Sequence, residues 1–173
     1  MGGAIRRLRE TAGISLSELA RRSGVGKATL SQLEAGERNP TLDTLYAITT
    51  ALQVPLGAVL EASSQPRISG AAVDAVLLDR HHTATRVAET YRLAVRPVRQ
   101  RSAAHLTGTS ETLIVVDGRL RTGPASHPVE LETGQSTTFQ ADTPHLYQGI
   151  SGTATCLLVM TSPISAPAQD PRG

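Results

Sequence analysis

The chain has 173 residues, one cysteine, no tryptophan and a formal net charge of +2. This length allows one medium domain or two small ones, and a single cysteine excludes an intramolecular disulfide and a cysteine-rich zinc site. The scarcity of aromatic residues argues against binding of single-stranded nucleic acid by base stacking. No apolar run approaches the roughly 20 residues that cross a bilayer, and the N-terminus has no apolar signal core, so we expect a cytoplasmic protein without membrane contact.

Residues 1–61 are predicted to form an all-α domain of five helices. Apolar residues recur there at helical spacing in short bursts, and each burst has its own start or stop signal. The predicted helices begin near residues 4, 15, 27, 41 and 55. Ser15 and Thr41 are candidate N-caps, Gly24 suits a left-handed C-cap, and Pro55 suits the first turn of the fifth helix. Glu18, three residues after Ser15, completes a capping box.

The break Ser23-Gly24-Val25-Gly26 lies between the second and third helices. Two short helices joined by a tight glycine turn form a helix-turn-helix, which places its second helix in the DNA major groove. This stretch therefore predicts binding to double-stranded DNA. The low net charge does not oppose the prediction, because a module that reads sequence needs only a local basic face.

The helical part resembles the helix-turn-helix domains of the Cro/repressor (XRE) family over about residues 4–61. The matching residues are Leu19-Ala20, Gly24-Val25, Ser31-Gln32-Leu33-Glu34, Gly36, Asn39-Pro40 and Leu45. Gly26 departs from the Ser or Thr that the family usually has as the cap of the third helix. The resemblance also implies that Arg9 pairs with Glu34 in a largely buried structural ion pair.

The predicted DNA contacts follow from the helix-turn-helix geometry, in which the N-terminal part of the second helix meets base edges. The residues in that position are Lys27, Ala28, Ser31 and Gln32. Lys27 can donate to guanine, Gln32 can pair with adenine, and Ala28 can contact a thymine methyl group. The residues expected at phosphates are Ser17, Thr29, Arg38 and Asn39. A contact of Lys27 with phosphate alone is the alternative.

From residue 73 onward the pattern changes to valine-, threonine- and leucine-rich runs with frequent turn residues, which is typical of an all-β sandwich or barrel. The predicted strands are 74–79, 86–97, 103–107, 111–117, 119–122, 128–132, 136–140 and 153–161. Asp117-Gly118 predicts a hairpin between two of them. A polar stretch predicts a linker over residues 62–72, the β-domain covers 73–162, and residues 163–173 are expected to be a disordered tail.

Two segments of the β-domain resemble the two motifs of the cupin family, whose fold is a small double-stranded β-barrel. In the first segment His105, Glu111 and Gly118 match, and Thr107 stands where the family has a second histidine. The second segment runs from Gly134 to His145. Metal-binding cupins use three histidines and a glutamate, so the resemblance implies a site at His105, Glu111 and His145, with Thr107 as a poor fourth ligand.

Two imidazoles and a carboxylate could hold Fe(II), Mn(II), Zn(II) or Ni(II). Alternatively, the two histidines line a ligand pocket and bond to Glu111. Taken together, the sequence predicts a transcriptional regulator, not an enzyme, that binds an operator as a homodimer and senses an unknown small-molecule effector. A metal-dependent oxygenase or isomerase with an appended helix-turn-helix is one alternative, and a ligand-blind dimeric repressor is another.

Overall fold

The computed structural model describes residues 1–60 and 67–164. Four α-helices come first, α1 to α4, at Gly2–Thr11, Leu16–Ser23, Lys27–Ala35 and Leu42–Leu52. A short 3₁₀ helix follows at Leu56–Val59. The eight strands, β1 to β8, are Arg67–Ser69, Val73–His82, Arg86–Val95, Gln100–Ser102, Ser110–Pro124, Val129–Glu132, Ser136–Gln140 and His145–Pro163. An α-helical head therefore precedes an antiparallel β-domain.

The caps of the helical head agree with the local sequence signals. Ser15 Oγ accepts a hydrogen bond from the Glu18 N–H at 3.1 Å, and Thr41 Oγ1 accepts one from the Thr44 N–H at 3.3 Å. Gly24 ends α2 with φ of 69°, in the left-handed conformation that glycine adopts without strain. These three predictions are confirmed, because each depends only on residues within one turn of the cap.

The prediction of a fifth α-helix is wrong, because the segment forms a 3₁₀ helix instead. The segment after Pro55 forms a single 3₁₀ turn, and Pro55 itself is extended, with ψ of 153°. Leu56, Gly57 and Val59 are buried in this turn. The segment is shaped by its contact with the β-domain, where side chains of the sheet press directly against Gly57. Packing of this kind overrides a local helix signal.

The strands form one antiparallel sheet in the order β1-β2-β3-β8-β5-β6, with β4 paired to β8 and β7 to β5. Strands β5 and β8 are long and pair with each other along most of their length. Within the part of the chain that the structure covers, the two ends of this order, β1 and β6, do not pair. The sheet is therefore open, and the predicted closure into a barrel is not confirmed.

The predicted hairpin at Asp117-Gly118 is also wrong. Strand β5 continues through these residues and stays paired with β8 on both sides, with register shifts on each side of Asp117. Gly118 has φ of 86°, and a Cβ there would lie 3.2 Å from the Ala154 Cα. The left-handed glycine accommodates a bulge against β8 in place of a turn. The Asp-Gly dipeptide is compatible with both a turn and a bulge, and the pairing of β5 with β8 determines which of the two forms.

Three predicted boundaries change in the structure. Strand β1 lies inside the predicted linker and pairs with β2, so the sheet begins earlier than expected. Residues 103–107 form a loop because their backbone does not join a ladder; the His105 N–H donates to the Ala141 carbonyl instead. Strand β8 includes Pro163, the first residue of the predicted tail. The rest of that tail from residue 165, and linker residues 62–66, lie outside the described residues.

The helical head docks directly on the β-domain. Buried apolar residues of both parts form one continuous core. At the edge of this contact the Gln100 amide donates to Asp43 in α4 at 3.2 Å, while its oxygen accepts from the backbone of Ala72 and Val73. Gly57 of the 3₁₀ turn lies against the ion pair of Arg80 and Glu89, whose Nε and Oε1 atoms are 3.0 Å apart. The two domains therefore have a defined relative position.

Replacing Gly57 by alanine is expected to weaken this docking. The new Cβ would overlap with Arg80 Nη2 and Glu89 Oε1, and the Glu89 side chain is almost fully buried. Overpacking of this kind costs about 1–3 kcal/mol of unfolding free energy, measured by denaturant titration. Gly3→Ala is the matched control, because its Cβ meets Arg7 at an ordinary 3.6 Å and a helical alanine is favourable. Equal stability of Gly57→Ala and the wild-type protein would contradict the docking contact.

Candidate functional site

The exposed face of α3 forms the first candidate site. Leu30 and Leu33 of this helix are buried in the core of the head. The opposite face is exposed and presents the residues predicted to meet base edges: Lys27, Ala28, Ser31 and Gln32. Thr29 is half-buried at the edge of this face. Because the apolar face of α3 is packed in the core, the polar face points away from it. No other part of the described chain covers this polar face.

The residues predicted at phosphates surround this face. Ser17 is exposed in the first turn of α2, and Arg38 and Asn39 are exposed in the loop after α3. Left-handed Gly36, with φ of 76°, ends α3 just before that loop. Exposed side chains at these positions can reach a phosphate backbone without displacing any part of the fold.

The two arginines of α2 form ion pairs with an acidic residue of the same helix. Glu18 binds Arg21 at 2.6 Å and Arg22 at 2.7 Å. The hydrogen bonds from Arg21 and then Arg22 lower the pKa of Glu18 to about 2, so the carboxylate stays ionised. The two arginines therefore contribute less net positive charge to the surface of the head than their number implies. Lys27 and Arg38 form no ion pair with any residue that the structure describes.

Arg9 and Glu34 lie together below this surface. Arg9 Nε and Nη2 donate to the two oxygens of Glu34 at 2.7 and 2.8 Å, and Arg9 Nη1 donates to the Ile14 carbonyl. The side chains are only 14% and 9% exposed. This bidentate pair joins α1 to the end of α3, so it compensates the charge of Glu34 and fixes the position of α3 against α1.

The second candidate site lies inside the β-domain, where the two cupin-like segments meet. His105, Glu111 and His145 are buried, and one possible ligand atom from each lies within 4.8 Å of the others. The three come from the loop before β5, from β5, and from the start of β8. The Oε1 atom of Glu111 is 3.0 Å from His105 Nε2 and 3.7 Å from His145 Nε2.

Hydrogen bonds orient each member of this group. His145 Nδ1–H donates to the Thr143 carbonyl at 2.8 Å, which leaves the lone pair on Nε2 facing Glu111. The Tyr147 hydroxyl donates to the second oxygen of Glu111. Among the residues described, His145 Nε2 and His105 Nδ1 are buried without a hydrogen-bond partner. Unpartnered buried nitrogens are costly unless a ligand or water satisfies them.

The charges of the group follow from burial and mutual contact. Burial lowers the pKa of His145, so its imidazole is neutral, the form that binds a metal ion. Burial alone would raise the pKa of Glu111, but the hydrogen bonds from His105 and Tyr147 hold it below its ordinary value. An ionised carboxylate next to a neutral imidazole is a suitable ligand set for a divalent cation.

Thr107 does not belong to this site. It is exposed in the loop between β4 and β5, whereas His105 is buried two positions earlier. The predicted strand at 103–107 would place both side chains on one face, but this segment is a loop, so the alternation of side chains does not apply and the prediction of Thr107 as a fourth ligand is wrong. The described site thus offers two histidines and one glutamate.

Three aromatic rings surround the site, and sequence reasoning did not assign them to it. The Tyr46 ring from α4 stacks on His105, with ring centroids 3.8 Å apart. The rings of Phe139 and Tyr147 each lie 5.6 Å from His145. Phe139 and Tyr147 are buried in the β-domain. Nothing in the local pattern of α4 distinguishes Tyr46 from an ordinary core residue of the head.

The cavities near the site differ greatly in volume. The two cavities bordered by Tyr46 measure about 10 Å³ each. On the outer side of Phe139 an open pocket of about 700 Å³ is lined by Arg101, His127, Pro144 and neighbouring residues. The outer pocket has room for a metabolite, whereas the two interior cavities bordered by Tyr46 hold nothing larger than a water molecule or an ion.

Known proteins resemble both parts of the chain. A family model described as helix-turn-helix, HTH_3, matches residues 5–59. The chain is 30% identical over 156 residues to the HTH-type transcriptional regulator SutR of Escherichia coli (strain K12), covering 83% of this chain and 84% of that protein. An uncharacterized HTH-type transcriptional regulator of Mycobacterium tuberculosis is 51% identical over 53 residues, which are 31% of this chain and 38% of the relative.

The likeness extends to the arrangement of the domains. A crystal structure of an HTH_3 family transcriptional regulator from Vibrio cholerae superposes with a TM-score of 0.81, at 26% sequence identity over 94% of both chains. In the part of the chain that the structure covers, no helix is both long enough and apolar enough to span a membrane.

Proposed function

Since this chain belongs to the family of XRE-type helix-turn-helix transcriptional regulators, we propose that it binds a double-stranded DNA operator through the exposed face of α3. The observation that carries this proposal is the position of Lys27, Ala28, Ser31 and Gln32 on a helix whose other face is locked in the core. Lys27 and Gln32 read base edges, and Ser17, Thr29, Arg38 and Asn39 bind phosphates.

The protein acts as a homodimer in this proposal. One helix-turn-helix contacts one half-site, and useful affinity generally needs two half-sites a helical turn apart. The β-domain supplies the surface between the two copies. In support, Ile114 and Val116 of β5 are large apolar side chains left 37% and 51% exposed on the sheet.

The His105–Glu111–His145 site holds a divalent metal ion, Fe, Mn, Zn or Ni. The residues fit such an ion because two imidazoles and a carboxylate converge, because His145 Nε2 is buried without a partner, and because the Thr143 carbonyl fixes the tautomer of His145. A hydrogen bond from a ligating imidazole to a carbonyl is the usual outer-shell support of a metal site. A bound cation would satisfy the unpartnered nitrogen and link β5 to β8.

A metal-dependent enzyme is the competing function. The two-histidine, one-carboxylate group favours it, because such groups also occur in oxygenases. An enzyme needs room for a substrate beside the metal, and the cavities that border Tyr46 hold about 10 Å³ each. A ligand-blind repressor is the third function, and an ion-free β-domain would favour it.

Selection of bound duplexes from a random pool tests the proposed function. We expect enrichment of one sequence with two-fold symmetry, and two chains per duplex in sedimentation experiments. Metal analysis of protein purified without chelator reports on the second site, with about one ion per chain expected. Failure to enrich any duplex at moderate salt would remove the regulator proposal, and oxygen-dependent turnover by the iron-loaded protein would favour the enzyme.

Tyr147→Phe is expected to weaken metal binding while the ligands stay in place. The variant loses only the hydroxyl that donates to Glu111, and loss of such outer-shell support typically costs about 10–100-fold in metal affinity. Zinc affinity is measured by competition with a chromophoric chelator. Tyr91→Phe is the matched control, because it removes a buried hydroxyl that bonds to Glu89 instead. Equal zinc affinities of the two variants would contradict the assigned site.

A further inference from the structure

Tyr46 belongs to the DNA-binding head but lies at the buried site of the β-domain. Its ring stacks on that of His105 at a centroid distance of 3.8 Å and an interplanar angle of 24°. His105 in turn contacts Glu111 at 3.0 Å and lies edge-on to His145, with centroids 4.7 Å apart. A single aromatic contact thus connects α4 with the candidate ligands.

The same ring limits what the site can accept while the two domains are docked. Tyr46 and Leu56 of the head border both cavities of about 10 Å³ beside the site, with Leu42 bordering one of them. A cavity of this size holds at most about one water molecule. An organic effector would have to displace α4 from the β-domain, whereas a single ion fits between the existing ligands.

We propose that Tyr46 transmits the state of the His105–Glu111–His145 site to the DNA-binding head, and that the effector taken by this site is a single divalent cation. This inference rests on the proposed function, because it requires both metal binding and operator binding. Tyr46 is a positioning residue in it, since the ring acts through His105 and touches neither the operator nor the ion.

The physical basis is the charge on the imidazole that Tyr46 covers. The face of a tyrosine ring is electron-rich, and a cationic group within about 6 Å of its centroid is attracted to it. An imidazole that coordinates a dication carries more positive charge than a free one. Cation binding therefore strengthens the Tyr46–His105 stack and favours the docked position of α4.

The core of the head connects α4 with α3 by way of α2. Leu45 and Ile48 of α4 are fully buried in the core shared with Leu19 of α2 and Leu30 of α3. Packed elements of this kind move as units. A shift in the docking of α4 therefore changes the position of α3 relative to the β-domain, and with it the spacing of two reading helices in a dimer.

The experiment compares operator affinity with and without zinc in full-length protein. The probe is a labelled duplex obtained by selection, and zinc is suitable because it has no redox chemistry. We expect zinc to change wild-type operator affinity about fivefold or more, and the operator to change zinc affinity by the same factor. Tyr46→Phe keeps the ring and is expected to keep this factor. Tyr46→Leu keeps an apolar side chain without a ring, and its factor should fall close to one.

A second measurement does not depend on the leucine variant folding. The chain has three tyrosines and no tryptophan, so a near-ultraviolet difference spectrum on zinc addition reports the tyrosines. We expect one component of this spectrum to be present in the wild-type protein and absent from Tyr46→Phe. If the zinc-saturated wild-type protein lacks this tyrosine component, so that its difference spectrum matches that of Tyr46→Phe, the inference is overturned.

The outcomes separate the inference from the function on which it rests. If the wild-type protein takes up no zinc, or selects no duplex, the proposed function fails and the inference fails with it. If zinc and operator both bind but do not affect each other, or if folded Tyr46→Leu keeps the wild-type factor, only the inference is overturned. Loss of the factor in Tyr46→Leu alone, with zinc and operator still bound separately, supports the role of the ring.

Discussion

Replacing Arg9 by methionine is expected to lower the free energy of unfolding by about 3 kcal/mol. The substitution leaves Glu34 only 9% exposed and without the guanidinium that now donates to both of its oxygens. An unpaired buried charge keeps its desolvation cost and loses its compensation. The measurement is a denaturant titration of the full chain, followed by circular dichroism.

Two control variants locate the cause of this loss. The double variant Arg9→Met/Glu34→Leu removes both charges and should recover most of the stability, because buried ion pairs can often be replaced by apolar pairs without loss. Arg6→Ala removes a solvent-exposed pair with Glu10 on the same helix and should change stability little. If the single and double variants are equally unstable, lost packing and not the unpaired carboxylate is responsible.

The double variant Lys27→Ala/Gln32→Ala is expected to lose discrimination between the operator and unrelated duplexes. Each good side-chain contact to a base edge contributes about 1–3 kcal/mol of discrimination, so the loss should reach about 2–6 kcal/mol, or about 30-fold and more. Both side chains are exposed, so the melting temperature should stay near that of the wild-type protein. Anisotropy titrations with matched and scrambled duplexes give the ratio.

Arg38→Ala provides the matched comparison for this experiment. Arg38 is exposed in the loop after α3 and is proposed to bind a phosphate. Its removal should weaken binding to all duplexes alike and lower the slope of affinity against salt by about one. Unchanged discrimination by the Lys27/Gln32 variant would mean that another face of the head reads the DNA. Comparison of the two variants distinguishes side chains that recognise bases from side chains that only position the helix-turn-helix on the phosphate backbone.

The closed interior of the β-domain bears on the choice between sensor and enzyme. The site carries ligands that enzymes also use, but Tyr46 from the head covers one of them at stacking distance. A residue of the helix-turn-helix domain stacked on a candidate ligand is the contact that the proposed sensor would use. Undocking of α4 would open the site to larger molecules, so the zinc experiment with Tyr46 variants also reports on this alternative.

Local chemistry was enough to predict the four α-helices of the head, but not the 3₁₀ turn that follows them. Ser15, Gly24 and Thr41 mark helix ends through contacts within a single turn, and a 3.6-residue period identifies the buried face without knowledge of the rest of the chain. The resemblance to a known family added Arg9 and Glu34, and it named His105, Glu111 and His145. These residues can be identified from their types and their spacing along the sequence, without knowledge of any tertiary contact.

The tertiary structure decided the features that depend on distant partners. Asp117-Gly118 becomes a bulge and not a turn because β8 pairs with β5 on both sides of it. Thr107 leaves the site because its segment joins no ladder. Tyr46 reaches His105, 59 positions further along the chain, only because the head docks on the β-domain. Patterns of period and cap act over a few residues, whereas these contacts depend on how segments far apart in the chain pack together.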